Sequence, residues 1–292
     1  MIQALPPDVL ARLRPLRLRN RSSADLLGHG SHASVHRGAG LEFAQYRAYE
    51  PGDDPRMVDW KLFARSDRYY VREAERESPL TAWIVLDASA SMRQADLARP
   101  HLRRWDVALQ LAQCAMQLAL QGGDAFGVVV ANDIERLPLP AGRGTRHRDR
   151  CLLALAELQP RGGWPRPVAL RPLWNAIGAR SLVMVLSDAF DAGIVEACET
   201  FAAGGRDVCL LQLLMADERE FPYRGGHRFE DPETGEHLLG DAASLRAGFI
   251  ERFAQARAAL RSRCARAGIA HVEHFSDQPP DAPFARLFGR GA

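Results

Sequence analysis

Hydrophobic and polar positions change rhythm near residue 80 of this 292-residue chain. Before that point turn formers dominate. Leu27-Gly28-His29-Gly30-Ser31, Arg37-Gly38-Ala39-Gly40 and Glu50-Pro51-Gly52-Asp53-Asp54-Pro55 break any sustained period. Only Tyr69–Glu73 reads as a strand there, at a sheet edge. From Leu80 onward short apolar runs alternate with longer amphipathic ones. The short runs predict strands at Ala82–Leu86, Ala125–Ala131, Ile134–Leu139, Leu182–Ser187, Val208–Met215 and His271–Phe275. The longer ones predict helices at Arg103–Gln121, Arg146–Leu158, Leu170–Ile177, Gly193–Ala203 and Ala243–Ala267. Near-continuous apolar strands separated by helices predict an α/β fold, with a doubly wound, mostly parallel central sheet and helices on both faces.

Two turns refine this picture. Asn132-Asp133 predicts a tight turn that makes one edge strand antiparallel. Asp231-Pro232-Glu233-Thr234-Gly235 predicts the tip of a small hairpin insertion at about 226–240. The expected organisation is an N-terminal accessory segment over 1–79, an α/β domain over 80–280 on which it packs, and a C-terminal tail or short helix over 281–292.

Composition narrows the function classes. The chain is 47% hydrophobic and 25% charged with a formal charge of +2, so bulk electrostatics favour neither nucleic acid nor an anionic membrane. Five cysteines without a C-x-x-C pair fit free thiols in a reducing compartment. Met1–Asn20 is Arg-rich and lacks the apolar centre of a signal peptide, and the uncharged run Val107–Gly123 is short for a membrane span. The expectation is a cytoplasmic protein with no membrane span.

Candidate chemistry sits at strand ends. Trp83-Ile84-Val85-Leu86 stops at Asp87, and Ser89 and Ser91 follow at alternate positions. Leu182–Ser187 likewise stops at Asp188. Open α/β sheets bind ligands outside the carboxyl ends of strands where strand order reverses, so neighbouring strands would bring Asp87 and Asp188 to one crevice. Thr145, after Gly142-Arg143-Gly144, is the candidate from a third loop. Carboxylates and hydroxyls form an all-oxygen shell suited to a hard cation, with water completing it.

Each residue also has a plainer reading. Asp87 and the serines suit the cap of a following turn, Asp188 a helix cap or an arginine pair, and Thr145 equally the N-cap of a helix at Arg146. Arg143, Arg146 and Arg148 around Thr145 would oppose a cation. With His147 and Arg150 they make the densest basic patch, whose plain reading is a solvated helix face. Asp53, Asp54, Arg56, Asp59, Arg65 and Arg72 read as a structural ion-pair network, with Trp60 packed beside it as an anchor. His29 and His32 read as turn or packing residues.

Asp87-x-Ser89-x-Ser91 with Thr145 and Asp188 resembles the metal-ion-dependent adhesion site of von Willebrand factor type A domains. More specifically, Gly38-x-Gly40-x-Glu42-Phe43 and Arg47-x-Tyr49-x-Pro51-Gly52-Asp53-Asp54-x-Arg56-x-Val58-Asp59-Trp60 resemble the domain-of-unknown-function 58 family. Ala64-Arg65 and Val71-Arg72 extend that resemblance. It implies a von Willebrand A/Rossmann-like bacterial protein that works as a non-enzymatic adaptor with a MoxR-type AAA+ ATPase and a client protein, in a chaperone-like or assembly role. It also implies Mg²⁺, with Mn²⁺ or Ca²⁺ as alternatives, at Asp87, Ser89, Ser91, Thr145 and Asp188, in a site that can stand empty. An acidic residue of the partner would complete the metal shell.

Two rival classes follow from the same residues. Asp87 as nucleophile would make the chain a Mg²⁺-dependent phosphoryl-transfer hydrolase, but position 89 is Ser where such enzymes of the haloacid-dehalogenase type have a second Asp, and no lysine lies near. A serine hydrolase lacks its G-x-S-x-G elbow and a dinucleotide enzyme its G-x-G-x-x-G turn. The arginine patch alone supports the other class, nucleic-acid or phosphate binding, which would show a steep salt dependence.

Overall fold

The computed structural model describes residues 4–20, 38–50, 55, 58–74 and 80–289, with the backbone alone for 38–47 and 72–74. Two compact units divide them, one drawn from Met1–Ser22 with Leu80–Ala292 and the other from Ser23–Pro79. The elements begin with α1 (Pro7–Leu13), β1 (Gly38–Ala48), α2 (Trp60–Ser66), β2 (Tyr70–Ala74), β3 (Thr81–Asp87), a 3₁₀ turn (Ala90–Arg93), β4 (Ala95–Asp96) and β5 (Arg99–Arg103). They continue with α3 (Arg104–Gly122), β6 (Ala125–Ala131), β7 (Arg136–Gly142), α4 (Gly144–Ala156), α5 (Pro167–Ala176), β8 (Leu182–Ser187) and α6 (Ala192–Ala203). The last are β9 (Asp207–Leu214), α7 (Ala216–Glu220), β10 (Gly226–Glu230), β11 (His237–Asp241), α8 (Ala242–Arg266), β12 (Ala270–Phe275) and α9 (Ala282–Phe288).

In the larger unit six strands form one sheet in the order β12-β9-β8-β3-β6-β7. All neighbours are parallel except β6 and β7, which are antiparallel. The chain enters the sheet at its middle through β3, builds β6 and β7 on one side, and then crosses to β8, β9 and β12 on the other. The strand order therefore reverses between β3 and β8, where Leu86 pairs with Leu186. This is the doubly wound, mostly parallel α/β architecture that the alternation predicts.

Alternation along each strand divides the core between the two faces of the sheet. Ala82, Ile84 and Leu86 of β3 face one cluster with Leu111 and Met116 of α3, Leu155 of α4 and Phe284 of α9. Val9 and Leu13 of α1 bury in the same cluster, and Arg12 pairs with Asp281 across it. Trp83 and Val85 face the other cluster with Leu170 and Leu173 of α5, Ile194 and Phe201 of α6, and Cys264 of α8. Both faces are covered, so the strands read as continuous apolar runs rather than alternating ones. All five cysteines are buried free thiols.

Local chemistry shifts several predicted boundaries. Ile134 does not start a strand; it is 59% exposed in a turn where Asn132 Oδ1 accepts from the amides of Ile134 (2.9 Å) and Glu135 (2.6 Å). Pairing resumes at Arg136. α5 begins at Pro167, where proline's fixed φ and missing N–H cost a first helical turn nothing. The hairpin β4–β5 has too few apolar residues to show a period, and it goes unpredicted.

In the smaller unit β1 pairs antiparallel with β2 with register shifts at Gly38 and Phe43, so the glycine-rich start of β1 is strand rather than turn. Asp59 caps α2, its Oδ1 accepting from the amides of Lys61 (2.9 Å) and Leu62 (3.0 Å). Trp60 is not a buried anchor. It is 59% exposed and meets Phe63 and Tyr69 edge-on. Arg65 is exposed. Asp53, Asp54, Arg56, His29 and His32 lie outside the described residues, as does the side chain of Arg72.

Candidate functional site

β3 ends at the switch point because Asp87 turns the chain. Its Oδ1 accepts from the Ser89 amide at 2.8 Å, and its Oδ2 accepts from the Ser187 hydroxyl at 2.6 Å. Ser187 closes β8, so the two strand ends are tied together through Asp87. The Ser187 oxygen in turn accepts from the Ala189 amide at 2.9 Å, beside a left-handed φ of 56° at Ala189. A non-glycine residue held there marks a constrained loop.

Ser89 stands at the N-cap of the 3₁₀ turn but makes no side-chain cap bond. Its hydroxyl lies 3.0 Å from that of Ser91, and both serines are buried. The capping alternative thus belongs to Asp87 alone, and the two hydroxyls hydrogen-bond each other. Asp188, fully buried, accepts from Arg104 Nη1 at 2.5 Å and from the Phe190 amide at 3.1 Å. The helix that follows is capped by Asp191 instead, which accepts from Gly193 at 2.7 Å. Asp188 therefore takes its arginine-pair reading.

Arg104, at the start of α3, also donates to the Ser91 carbonyl at 3.0 Å and to Glu218 of α7. Neither Arg104 nor Glu218 stands out in the sequence, because an arginine at a helix start and a glutamate in an acidic turn look like surface residues. Glu218 also accepts from the Met215 amide at 2.7 Å. Burial pushes the Glu218 carboxyl above the usual range against the pull of Arg104. Burial and the neighbouring Asp188 push Asp87 up to about 7.

Thr145 is not at this crevice. The antiparallel edge strand β7 carries the chain back, so Gly142 pairs with Phe126 near the start of β6, whereas Asp87 pairs with Ala131 at its end. Thr145 follows Gly142 at the opposite edge of the sheet, about 20 Å away along seven-residue strands. The third loop is instead the segment after α4. The Gly162 carbonyl accepts from the Ala90 amide and the Arg161 amide donates to the Ala88 carbonyl, each at 2.8 Å. A glycine is needed at 162, where φ is +67° and a Cβ would fall 2.0 Å from Asp133 Oδ1. Trp164 follows Gly162-Gly163 and brings no hydroxyl.

The basic patch breaks up on the α4 surface. His147 is buried and bonds the Phe126 carbonyl at 2.8 Å, Arg150 donates to its other nitrogen, and Arg148 pairs with Asp149. Asp87, as a phosphoryl-accepting nucleophile, would need an exposed oxygen, and it is 0% exposed.

One further side chain reaches the crevice. The β10–β11 hairpin brings the Glu233 carboxylate to the glycine loop, one oxygen 3.6 Å from where a Cβ on Gly163 would stand, close enough for the Ser89 and Ser91 hydroxyls to pull its carboxyl down. The donor set for a cation is then oxygen throughout: two hydroxyls and one carboxylate in front, with Asp87 and Asp188 behind. With Glu218 the crevice gathers four acids, Asp87, Asp188, Glu218 and Glu233, and Arg104 pairs with two of them. Among the described residues no three of the His, Cys, Asp and Glu side chains group as metal ligands. The set fits a hard, partly hydrated cation held by hydroxyls, not a carboxylate cage.

The profile of the family described as "Protein of unknown function DUF58" matches residues 45–259. The chain belongs to this family. An uncharacterized protein of Mycobacterium tuberculosis, Rv1480, is 29% identical over 268 residues, covering 91% of this chain and 79% of that protein. Mycobacterium bovis has one, Mb1516, with the same identity and coverage. Among solved structures, the conserved hypothetical protein BatB from Bacteroides thetaiotaomicron is similar with a TM-score of 0.43 and 19% identity, over 71% of this chain and 97% of that one. The SpRpn10 VWA domain has a TM-score of 0.44 and 11% identity, over 74% of this chain and all of its own (100%). Among the described residues of this DUF58 chain, no helix is long and apolar enough to cross a membrane.

Proposed function

We propose that this DUF58 protein is a non-catalytic adaptor that captures an acidic side chain of a partner at the Ser89/Ser91 crevice. One observation carries the reading: two hydroxyls 3.0 Å apart converge at the switch point with buried carboxylates behind them. Ser89 and Ser91 would hold a divalent cation, Mg²⁺ by its oxygen preference, with Asp87 and Asp188 as outer partners. A bound cation supplies an electrophilic point on which a carboxylate can close. Asp87 aligns Ser89 through the backbone amide, Arg104 neutralises Asp188, and the Gly162-Gly163 loop adds no side chain of its own to the approach. Thr145 has no part in it.

A MoxR-type AAA+ ATPase is the proposed partner, with a client protein completing the complex in an assembly or chaperone-like role. Capture of such an ATPase by the full chain tests the reading. Capture should fall when Ser89 and Ser91 are both replaced by alanine and when EDTA is added. Undiminished capture in both cases would sink it.

A further inference from the structure

The hairpin β10–β11 ends in a tip built to hold one side chain forward. Asp231 Oδ1 accepts from the amides of Glu233 (2.8 Å) and Thr234 (3.3 Å), and the Gly235 amide returns to the Asp231 carbonyl at 2.8 Å. Gly235 adopts φ +74°, and the Thr234 hydroxyl accepts from the Glu236 amide at 3.2 Å. Asp231 and Thr234 are thus occupied within the turn. Glu233 instead leaves the tip toward the crevice, where the Ser89 and Ser91 hydroxyls act on its carboxyl. One of its oxygens lies 3.6 Å from where a Cβ on Gly163 would be, so it stands on the glycine loop that opens the crevice.

This contact is unfavourable to its surroundings in charge. Burial raises the Glu233 carboxyl above the usual range, with Asp188 and Asp191 adding to the effect, while the two hydroxyls pull it down. A carboxylate facing that much negative charge needs either the hydroxyl donors or a cation to hold it. Arg104, the buried arginine of the crevice, is already engaged by Asp188 and Glu218.

We propose that Glu233 is a built-in ligand of the Ser89/Ser91 site: the hairpin tip presents in the same chain the carboxylate that a partner would present from outside. The inference rests on the reading of the crevice as a carboxylate-receiving site. The tip closes that site in the free protein, and an acidic segment of a partner must displace Glu233 to enter. Hairpin and partner therefore compete for one position. Glu233→Gln keeps the shape of the tip and removes the charge that the cation and hydroxyls recognise.

Two measurements on the full chain test this, one without metal. In EDTA, backbone hydrogen exchange at 226–241 and 88–93 is compared between wild type, Glu233→Ala and Ser91→Ala. Both variants should exchange faster than wild type in both segments; equal rates in all three proteins would overturn the proposal. With Mn²⁺ as probe, Glu233→Gln should weaken binding by at least about tenfold and add one exchangeable water to the ion, seen as increased water-proton relaxation. Wild-type Mn²⁺ binding that Ser89→Ala abolishes but Glu233→Gln leaves unchanged would overturn the internal ligand and spare the site. Absence of Mn²⁺ binding to wild type would sink the metal part of the site reading, and the exchange data would then decide on Glu233 alone.

Discussion

Arg104 Nη1 lies 2.5 Å from Asp188 Oδ2 in an ion pair whose two side chains are each 2% exposed. The guanidinium ties together Asp188, Glu218 and the Ser91 carbonyl, so one residue of α3 positions the loops after β3 and β8 and the start of α7. Breaking such a pair leaves a carboxylate buried without its partner. Arg104→Met should lower unfolding free energy in urea by about 3–5 kcal/mol. Arg104→Lys should recover only part of that, because an ammonium lacks the planar fork that reaches three acceptors at once. A loss under 1 kcal/mol, roughly the worth of an exposed pair, would mean that the pair is solvated.

Metal binding should raise thermal stability by mass action. Mg²⁺ or Mn²⁺ is expected to raise the Tm of wild type and of Thr145→Ala, but not of Asp87→Ala or Ser89→Ala. Because Asp87 holds its proton up to about 7, protons compete with the cation, and the shift should be larger at about pH 8 than at about pH 5.5. A Thr145→Ala protein that loses the shift would restore that residue to the site.

The glycine loop gives a local test. Gly162→Ala puts a side chain at φ +67°, pointing at Asp133. The left-handed conformation alone costs roughly 1–2 kcal/mol in an L-residue. Calorimetry should show at least that loss, together with weaker Mn²⁺ binding, since the loop bonds Ala88 and Ala90 directly. Unchanged stability would mean that the loop relaxes freely.

His274 makes stability fall on the acid side. Burial lowers it from an ordinary 6.5 to about 4, so the unfolded chain binds its proton first as pH drops. Its contribution is full above about pH 6.5 and is lost down to about pH 4, up to about 3 kcal/mol. Asp87 acts in the opposite sense: burial and Asp188 raise its carboxyl from 3.8 to about 7, so its contribution to stability falls as pH rises through that window. Comparing wild type with His274→Phe separates the two. The variant should lose the acid-side decline, and parallel curves for both proteins would refute the assignment.

The legible part of the site is the part that strand endings encode. Asp87 and Asp188 each follow an apolar run, so a sheet with β3 beside β8 brings them together whatever the connecting helices do. Ser89 and Ser91 lie within one turn of Asp87 and come with it. Thr145 depends on direction: the Asn132-Asp133 turn is legible, but it reverses β7, whose last residue Gly142 pairs near the start of β6 and takes Thr145 to the far end of the strands. Gly162-Gly163 fills the third-loop position, and no hydroxyl marked it.

The sequence by itself determined the alternation of strands and helices, the two carboxylates at strand ends and the family, because these are written in local periodicity and short motifs. Only the tertiary structure decided which loops meet Asp87, that Arg104 compensates Asp188, and that the hairpin tip brings Glu233 to the glycine loop beside the two serines. Those contacts join residues far apart in the chain, and their partners are chosen by strand order and direction and by burial, which no local pattern records.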